Sequence, residues 1–251
     1  IQNQIAPEFM KLYISFEEEI ESWRSEIFII DASGATQSKN FPEQSSENIY
    51  TITELFPATG LVTIDIETWD QVGNGIISRK EVVYDEIVFN VSSSVQSPSG
   101  TLLIQFDEND IDKTSTILIQ EEALKDEFEL RSGLHRVSPA YLISSVDMNI
   151  LEEIDVEILI PEYLSDIEHW KFRVRLVDSD NNPGNDITTW SKDEKVYGSL
   201  TSLESVALYY DSSAEYEIPK DIDLIGNYPN PFNPTTNIFF IVSEDNSDIR
   251  I

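Results

Sequence analysis

Oxygen-bearing side chains recur at alternate positions of one short loop, residues 178–186, with the sequence DSDNNPGND. Calcium takes six to eight oxygen ligands in proteins, and a D-x-D-x-N start is typical of loops that supply them. The spacing departs from the EF-hand, because Gly184 stands one place late and no glutamate occupies the twelfth position. Two interpretations stay open: a polar hairpin loop, or a weak calcium site with the ligands Asp178, Asp180, Asn182 and Asp186.

A second loop, residues 107–112, holds four acidic side chains in the sequence DENDID. The same two interpretations apply, a solvated acidic loop or a weak calcium site. Calcium is the one cofactor that the sequence suggests.

Three tryptophans lie in turn-like or acidic contexts, where an aromatic ring can bind a sugar. They are Trp23, Trp69 and Trp190. Packing in the core or at a domain edge is the ordinary alternative for a tryptophan. The fourth, Trp170, falls on the apolar face of a predicted strand, which indicates a core position.

The sequence gives little support for catalysis. It has no cysteine, and its two histidines, His135 and His169, lack metal-ligand spacing. It contains no G-x-S-x-G elbow, no Walker A loop and no dinucleotide-binding glycine motif. A glycosidase needs only two carboxylates, so an abundance of acids decides nothing. We therefore expect no catalytic residues here, and any catalytic domain of the parent protein to lie upstream.

The chain is strongly acidic, with 47 Asp and Glu against 16 Lys and Arg and a formal net charge of −31. Nucleic acids and anionic membrane surfaces are poor partners for such a chain, because both require a basic face. No apolar run reaches the roughly 18 residues of a spanning helix, so we expect no membrane insertion. The sequence begins at Ile1 without a signal peptide and is interpreted as an internal or processed fragment.

Alternation of apolar and polar residues dominates the chain and predicts half-buried antiparallel strands. It is clearest in residues 61–67, LVTIDIE, and recurs in residues 154–158 and 170–176. Further strands are expected at residues 11–16, 26–30, 50–53, 82–84, 86–91, 102–106, 116–119, 140–143 and 206–210, and a short helix or turn at 121–128. The predicted fold is all-β, with tandem antiparallel β-sandwiches of immunoglobulin-like type and a truncated β tail.

Two polar stretches are predicted to be linkers, the serine-rich residues 92–100 and residues 211–215. They divide the chain into an immunoglobulin-like sandwich at 1–93, an accessory sandwich at 98–212 and a tail at 218–251. The tail is too short to form a core by itself.

The most specific motif is the run NYPNPFNPTT at residues 227–236, followed by the apolar residues 237–242. Its three prolines fix φ and remove amide donors, so the run cannot lie in the middle of a sheet. It closely resembles the opening of the C-terminal sorting domain of the type IX secretion system. The matching residues are Asn227, Tyr228, Pro229, Asn230, Pro231, Phe232, Asn233, Pro234 and Thr236.

This resemblance covers about the last thirty residues and implies a parent protein that crosses the bacterial outer membrane. The parent is then released or anchored at the cell surface, with the secretion translocon as a partner of its complete tail. The chain stops at Ile251, before the later strands of that family, so we expect the fragment not to be exported alone.

A second resemblance lies in residues 67–75, ETWDQVGNG. It is similar to the T-x-x-D-x-A-G-N turn of bacterial immunoglobulin-like surface domains, with Asp70, Gly73 and Asn74 at matching positions and Val72 replacing a small residue. Glycine and asparagine tolerate positive φ, and aspartate can bond the turn backbone, which favours a structural role over a calcium site. Trp190 and residues 205–211 weakly resemble accessory modules of secreted proteases.

Three hypotheses follow for function. The first is a non-catalytic accessory or spacer region of a secreted or cell-surface protein. The second is a carbohydrate-binding or adhesion module whose partners are surface glycans or other domains of the parent. The third is part of a secreted hydrolase, such as a protease, whose catalytic domain lies upstream.

Overall fold

The computed structural model describes residues 2–6, 9–15, 24–40, 44–46, 49–55, 58–124, 133–145, 148–178, 182–214, 223–228 and 237–241. The chain divides into two compact units, Ile1–Ser212 and Ser213–Ile251. Within the described ranges, no helix has the length and apolar character needed to cross a membrane.

Two antiparallel sheets face each other in the first unit. The larger contains, in spatial order, β16 (Pro183–Asp186), β15 (Phe172–Val177), β19 (Val206–Asp211), β13 (Ala140–Ser145), β11 (Ser115–Glu122), β8 (Gly75–Ile87), β7 (Gly60–Trp69), β3 (Glu26–Ile30) and β4 (Thr36–Asn40), while β12 (Leu134–Arg136) pairs with β19. The smaller contains β17 (Thr188–Lys192), β18 (Lys195–Leu200), β14 (Ile154–Leu159), β10 (Leu102–Phe106) and β9 (Ser93–Gln96).

Two further antiparallel sheets complete the described strands. A four-stranded sheet has the order β1 (Gln2–Ala6), β2 (Phe9–Ser15), β6 (Ile49–Leu55) and β5 (Gln44–Ser46). The second unit contains a hairpin of β20 (Asp223–Tyr228) and β21 (Asn237–Ile241). Short 3-10 turns occupy Glu162–Leu164 and His169–Lys171.

The strands follow the period-two pattern of the sequence. In β7 the side chains of Val62, Ile64 and Ile66 are buried, and the residues between them retain solvent contact. Strands β3 and β10 begin and end at the residues that the alternation predicts. The prediction of an all-β sandwich is thus confirmed.

The main core lies between the ten-stranded and five-stranded sheets. Its fully buried side chains include Leu102, Ile104, Phe106, Ile117, Ile119, Tyr141, Ile154, Ile158, Phe172, Val174, Val196, Val206 and Leu208. Each apolar residue removed from water contributes about 1.5–3 kcal/mol, so this layer supplies the main driving force for folding the unit.

Strand β8 is one continuous thirteen-residue strand, where the alternation predicted separate strands at 82–84 and 86–91. Its first ten residues pair with β7, and residues 82–87 pair with β11. The predicted domains 1–93 and 98–212 consequently share one sheet. The domain boundary between them stays a prediction.

The serine-rich residues 92–100 were predicted to be a linker, and this is wrong for their first half. Residues Ser93–Gln96 form β9, which pairs with β10. The cause is Val95, which is buried in the main core and lies opposite Ile104. A single apolar residue at the correct phase is enough to place the segment at the edge of the sheet.

Two smaller expectations also differ from the structure. Trp170 lies in the 3-10 turn before β15 and is half-buried, so it is not a strand residue in the core. The segment 121–128 begins as strand, because β11 continues to Glu122, and residues 125–128 lie outside the described residues.

A chain of hydroxyl groups joins the two sheets at one end of the sandwich. The buried Tyr141 hydroxyl lies 2.7 Å from Thr101 Oγ1, which lies 2.6 Å from Ser99 Oγ. Ser99 donates from Oγ to Glu121 Oε1 at 2.6 Å. These bonds fix the β9–β10 turn of the smaller sheet onto β11 and β13 of the larger one.

Candidate functional site

The run NYPNPFNPTT, predicted to be a sorting motif, includes the last two residues of β20 and the residues that precede β21 in the sequence. Asn227 and Tyr228 end β20 and lie opposite Ile238 and Asn237 of β21. The remaining motif residues lie outside the described residues: Pro229, Asn230, Pro231, Phe232, Asn233, Pro234 and Thr236. In the sequence, residues 229–236 stand between these two paired antiparallel strands.

The turn at Asp70 is closed by its own aspartate. Asp70 Oδ1 accepts hydrogen bonds from the backbone N–H groups of Val72 at 2.9 Å and Asn74 at 2.8 Å. Asn74 Nδ2 donates to Asp70 Oδ2 at 2.6 Å. Gly73 has φ of 91°, a conformation that glycine adopts without a steric penalty. These donors lower the pKa of the Asp70 carboxyl, the largest effect coming from Asn74.

The same arrangement occurs at Asp31, which the sequence analysis did not single out. Its Oδ1 accepts from the N–H and Oγ of Ser33 and from the N–H of Ala35. Gly34 has φ of 80°, like the glycine of the first turn. A sequence pattern of Asp with Gly three residues later is shared by both turns and could have identified this one.

The candidate calcium loop has this geometry at Asp178. The backbone N–H of Asn182 donates to Asp178 Oδ1 at 2.8 Å, and Asn182 Nδ2 donates to Oδ2 at 3.0 Å. Asp186 accepts from the N–H of Thr188 at 2.9 Å, and its other oxygen lies 3.5 Å from Arg173 Nε. Asp180 lies outside the described residues. The described candidates thus bond to their own loop and to an arginine.

The second acidic loop, residues 107–112, is also held by internal bonds. Asp112 accepts from the N–H and Nδ2 of Asn149, which join this loop to residues 148–151. Asp110 is almost fully buried and accepts the N–H of Asp107 at 2.7 Å. Over the described residues, no three acidic or histidine side chains are placed so that they could hold a metal ion.

Two acidic groups of this loop, Asp107 and Asp110, lie near Asp155 of β14, and all three have raised pKa values. Desolvation by the surrounding chain raises the pKa of the Asp155 carboxyl, and repulsion from Asp107 and Asp110 raises it further. The pKa values of Asp107 and Asp110 are themselves raised, with desolvation again the main cause. The fold therefore disfavours the charged form of these three carboxyl groups, whereas it favours the charged form of Asp70.

Trp190 forms an aromatic pair on the outer face of the five-stranded sheet. Its ring is stacked on that of Tyr197, with centroids 4.1 Å apart and planes inclined by 5°. Tyr197 alternates with the core residues Val196 and Leu200, which places it on the opposite face of β18. Beside the pair, Lys195 Nζ and Glu157 Oε1 form an ion pair at 2.7 Å. Sequence analysis identified the tryptophan but not its partner, which depends on the β17–β18 register.

Trp69 lies elsewhere, in the ten-stranded sheet. The guanidinium of Arg24 lies 4.6 Å from the centre of its ring, and Gly75 packs closely against the ring. Trp23 lies outside the described residues. The structure therefore does not bring Trp69 and Trp190 onto one strand or one sheet.

The two histidines have ordinary neighbours. His169 Nδ1 lies 2.9 Å from Ser191 Oγ, and its ring meets Trp170 edge-on at 5.5 Å. His135 lies in β12 opposite Tyr210 of β19.

No protein-family model matches this chain, and a search of curated proteins finds no similar sequence.

Asp70→Asn tests the structural role of the first turn. Because the folded protein lowers the pKa of Asp70, this carboxylate stabilises the fold above its ordinary pKa of 3.8, and the contribution is lost as pH falls through the folded value. We expect the variant to melt below the wild type at pH 7, with the difference shrinking as pH falls below 3.8. Thermal melts at several pH values measure this; a difference independent of pH contradicts it.

Asp155→Asn should change the melting temperature in the opposite direction to Asp70→Asn. The folded pKa of Asp155 is raised, so the charged carboxylate costs stability above that pKa, and the cost disappears as pH falls toward 3.8. Because the Asp155 side chain is exposed and solvent screens its charge, we expect Asp155→Asn to raise the melting temperature only slightly at pH 7 and to leave it unchanged in acid. A lower melting temperature at pH 7 would mean that the carboxylate has a stabilising partner, such as a bound cation; adding EDTA to the wild type separates that case.

Proposed function

We propose that this chain is a non-catalytic spacer or accessory region of a secreted bacterial surface protein, followed by a type IX secretion sorting signal. The observation that carries the proposal is the position of the NYPNPFNP motif. Its first two residues end β20 and its other residues precede β21 in the sequence, within a compact unit that starts at Ser213. A signal that must be recognised independently of its cargo is expected to occupy a unit of its own.

The first unit suits a spacer in two respects. Its ten-stranded sheet continues from β4 to β16, so the connection between its parts is made by paired strands. Its acidic surface favours solubility and disfavours association with other anionic surfaces. In this proposal the immunoglobulin-like character, the extracellular location and the secretion translocon as partner all derive from the sequence motifs. Any catalytic domain of the parent belongs upstream.

Export of the parent protein tests the sorting proposal. In the source bacterium, Pro231→Ala combined with Phe232→Ala should retain the parent in the periplasm, because the motif is recognised during translocation. Val72→Ala, which alters an exposed side chain in a turn of the first unit, serves as the control and should be exported normally. Immunoblots of periplasmic, cell-surface and medium fractions with an antibody against residues 1–212 give the readout. Normal export of the double variant would contradict the proposal.

A second function, binding of surface glycans, is supported by the Trp190–Tyr197 pair. A stacked aromatic pair gains about 0.5–1.5 kcal/mol beyond its buried area, which holds the indole in a fixed orientation on the sheet. The neighbouring Lys195 and Glu157 provide polar groups at the same face. A sugar binds to this kind of surface through its apolar ring face and its hydroxyl groups.

Tryptophan emission tests this function on the 251-residue chain. With a panel of soluble polysaccharides, we expect a change in emission that Trp190→Ala abolishes. Trp69→Phe is the control and should keep the change, since Trp69 packs against Arg24 and Gly75. Unchanged emission across the panel, or a change that persists in Trp190→Ala, would exclude the pair as a glycan site.

A further inference from the structure

Three residues form a row across the outer face of the ten-stranded sheet. Arg136 of β12 lies directly opposite Tyr209 of β19, and Tyr209 lies opposite Arg173 of β15. The neighbouring residues of β19, Leu208 and Tyr210, point into the main core. Tyr209 therefore faces away from the core, on the opposite side of the sheet.

Tyr209 is nevertheless buried, with only 3% of its surface exposed. It belongs to a small apolar cluster on this outer face with Ala140, Val177 and Ala207, against which Leu134 packs. The ring is thus held in place by apolar contacts, and the arginines whose charges act on its hydroxyl group are Arg136 and Arg175.

Two polar groups in this row lack a hydrogen-bond partner among the described residues. They are the Tyr209 hydroxyl and the Arg136 Nη1 atom, and both are closed to solvent. The other terminal nitrogen of Arg136 donates to the carbonyl of Ala123 at 3.2 Å, which fixes the guanidinium. A buried donor without an acceptor costs about 1–3 kcal/mol, and more for a charged group. Because the two residues are paired across β12 and β19, one oxygen acceptor between their side chains would satisfy both groups.

The charges around the hydroxyl group favour an anionic acceptor. The positive charges of Arg136 and Arg175 act on Tyr209 and partly offset the desolvation that raises the pKa of its hydroxyl. Asp178 acts in the opposite sense, but its carboxylate already accepts bonds from Asn182. In a chain with a net charge of −31, arginines gathered around an unsatisfied hydroxyl are a local exception.

We propose that Arg136 and Tyr209 form a binding site for a carboxylate group, which accepts one hydrogen bond from the guanidinium and one from the phenol. Arginine and carboxylate match in geometry, and charge-assisted bonds of this kind are the strongest that side chains form. The carboxylate belongs either to a small organic acid or to a glutamate or aspartate of a polypeptide. The site is separate from the sorting motif and from the Trp190–Tyr197 pair, so it stands independently of the function proposed above.

Thermal melts of the 251-residue chain test the site with two probes, sodium acetate and a short glutamate-rich peptide, against sodium chloride at equal ionic strength. We expect at least one probe to raise the melting temperature of the wild type. Tyr209→Phe should weaken the apparent affinity about tenfold or more, because it removes a hydrogen bond to a charged group. Tyr210→Phe is the matched control, since it removes a hydroxyl from the adjacent buried residue on the other face of β19, and it should respond as the wild type does.

The pattern of responses identifies the source of the carboxylate. A response to acetate supports a small acid, and a response to the peptide alone supports an acidic polypeptide. Carbon-13 labelling of tyrosine gives a second readout, in which the Tyr209 ring resonance should shift with the effective probe. Equal responses of the wild type and Tyr209→Phe, or no response to either probe, would overturn the proposal and indicate that only water occupies the site. If Tyr209→Phe does not fold, Arg136→Gln replaces it in the same comparison.

Discussion

The first unit depends on one long strand, β8. This strand pairs with β7 along its first ten residues and with β11 along residues 82–87. Residues Val82–Tyr84 bond to β7 on one side and to β11 on the other. Val83 and Ile87 enter the main core, whereas Val82 faces the other way, beside Val62 of β7. Both faces of the strand are therefore buried at this point, and this explains its run of three consecutive apolar residues.

Three aspartates in the described turns have a structural role. Asp31, Asp70 and Asp178 each accept hydrogen bonds from the backbone two or four residues ahead, so each carboxylate closes its own hairpin turn. Such turns and calcium loops draw on the same residue types, aspartate, asparagine and glycine, at similar spacing. A sequence pattern alone therefore cannot distinguish the two, and the calcium loop stays a prediction.

Local pattern predicted the all-β class and the bounds of strands such as β3 and β10, because alternation is a property of neighbouring residues. It did not predict that β8 is continuous, nor that β9 lies within a serine-rich segment. Both features depend on pairing with strands that are distant in the sequence. Such pairing cannot be predicted from a short stretch of neighbouring residues. The same holds at the candidate sites. Trp190 could be selected by residue type, but its stacking on Tyr197 and the unsatisfied Tyr209 hydroxyl follow only from the strand register.

The proposed role as a spacer requires that the parts joined by β8 behave as one body. Native-state hydrogen exchange tests this most directly, by comparing amides of β7 with amides of β14, which belong to opposite ends of the predicted domain division. If the shared sheet makes the unit cooperative, the most protected amides of both strands exchange through the same global opening, with equal free energies and equal denaturant dependence. Exchange of β7 through a separate, lower-energy opening while β14 stays protected would contradict a single cooperative unit.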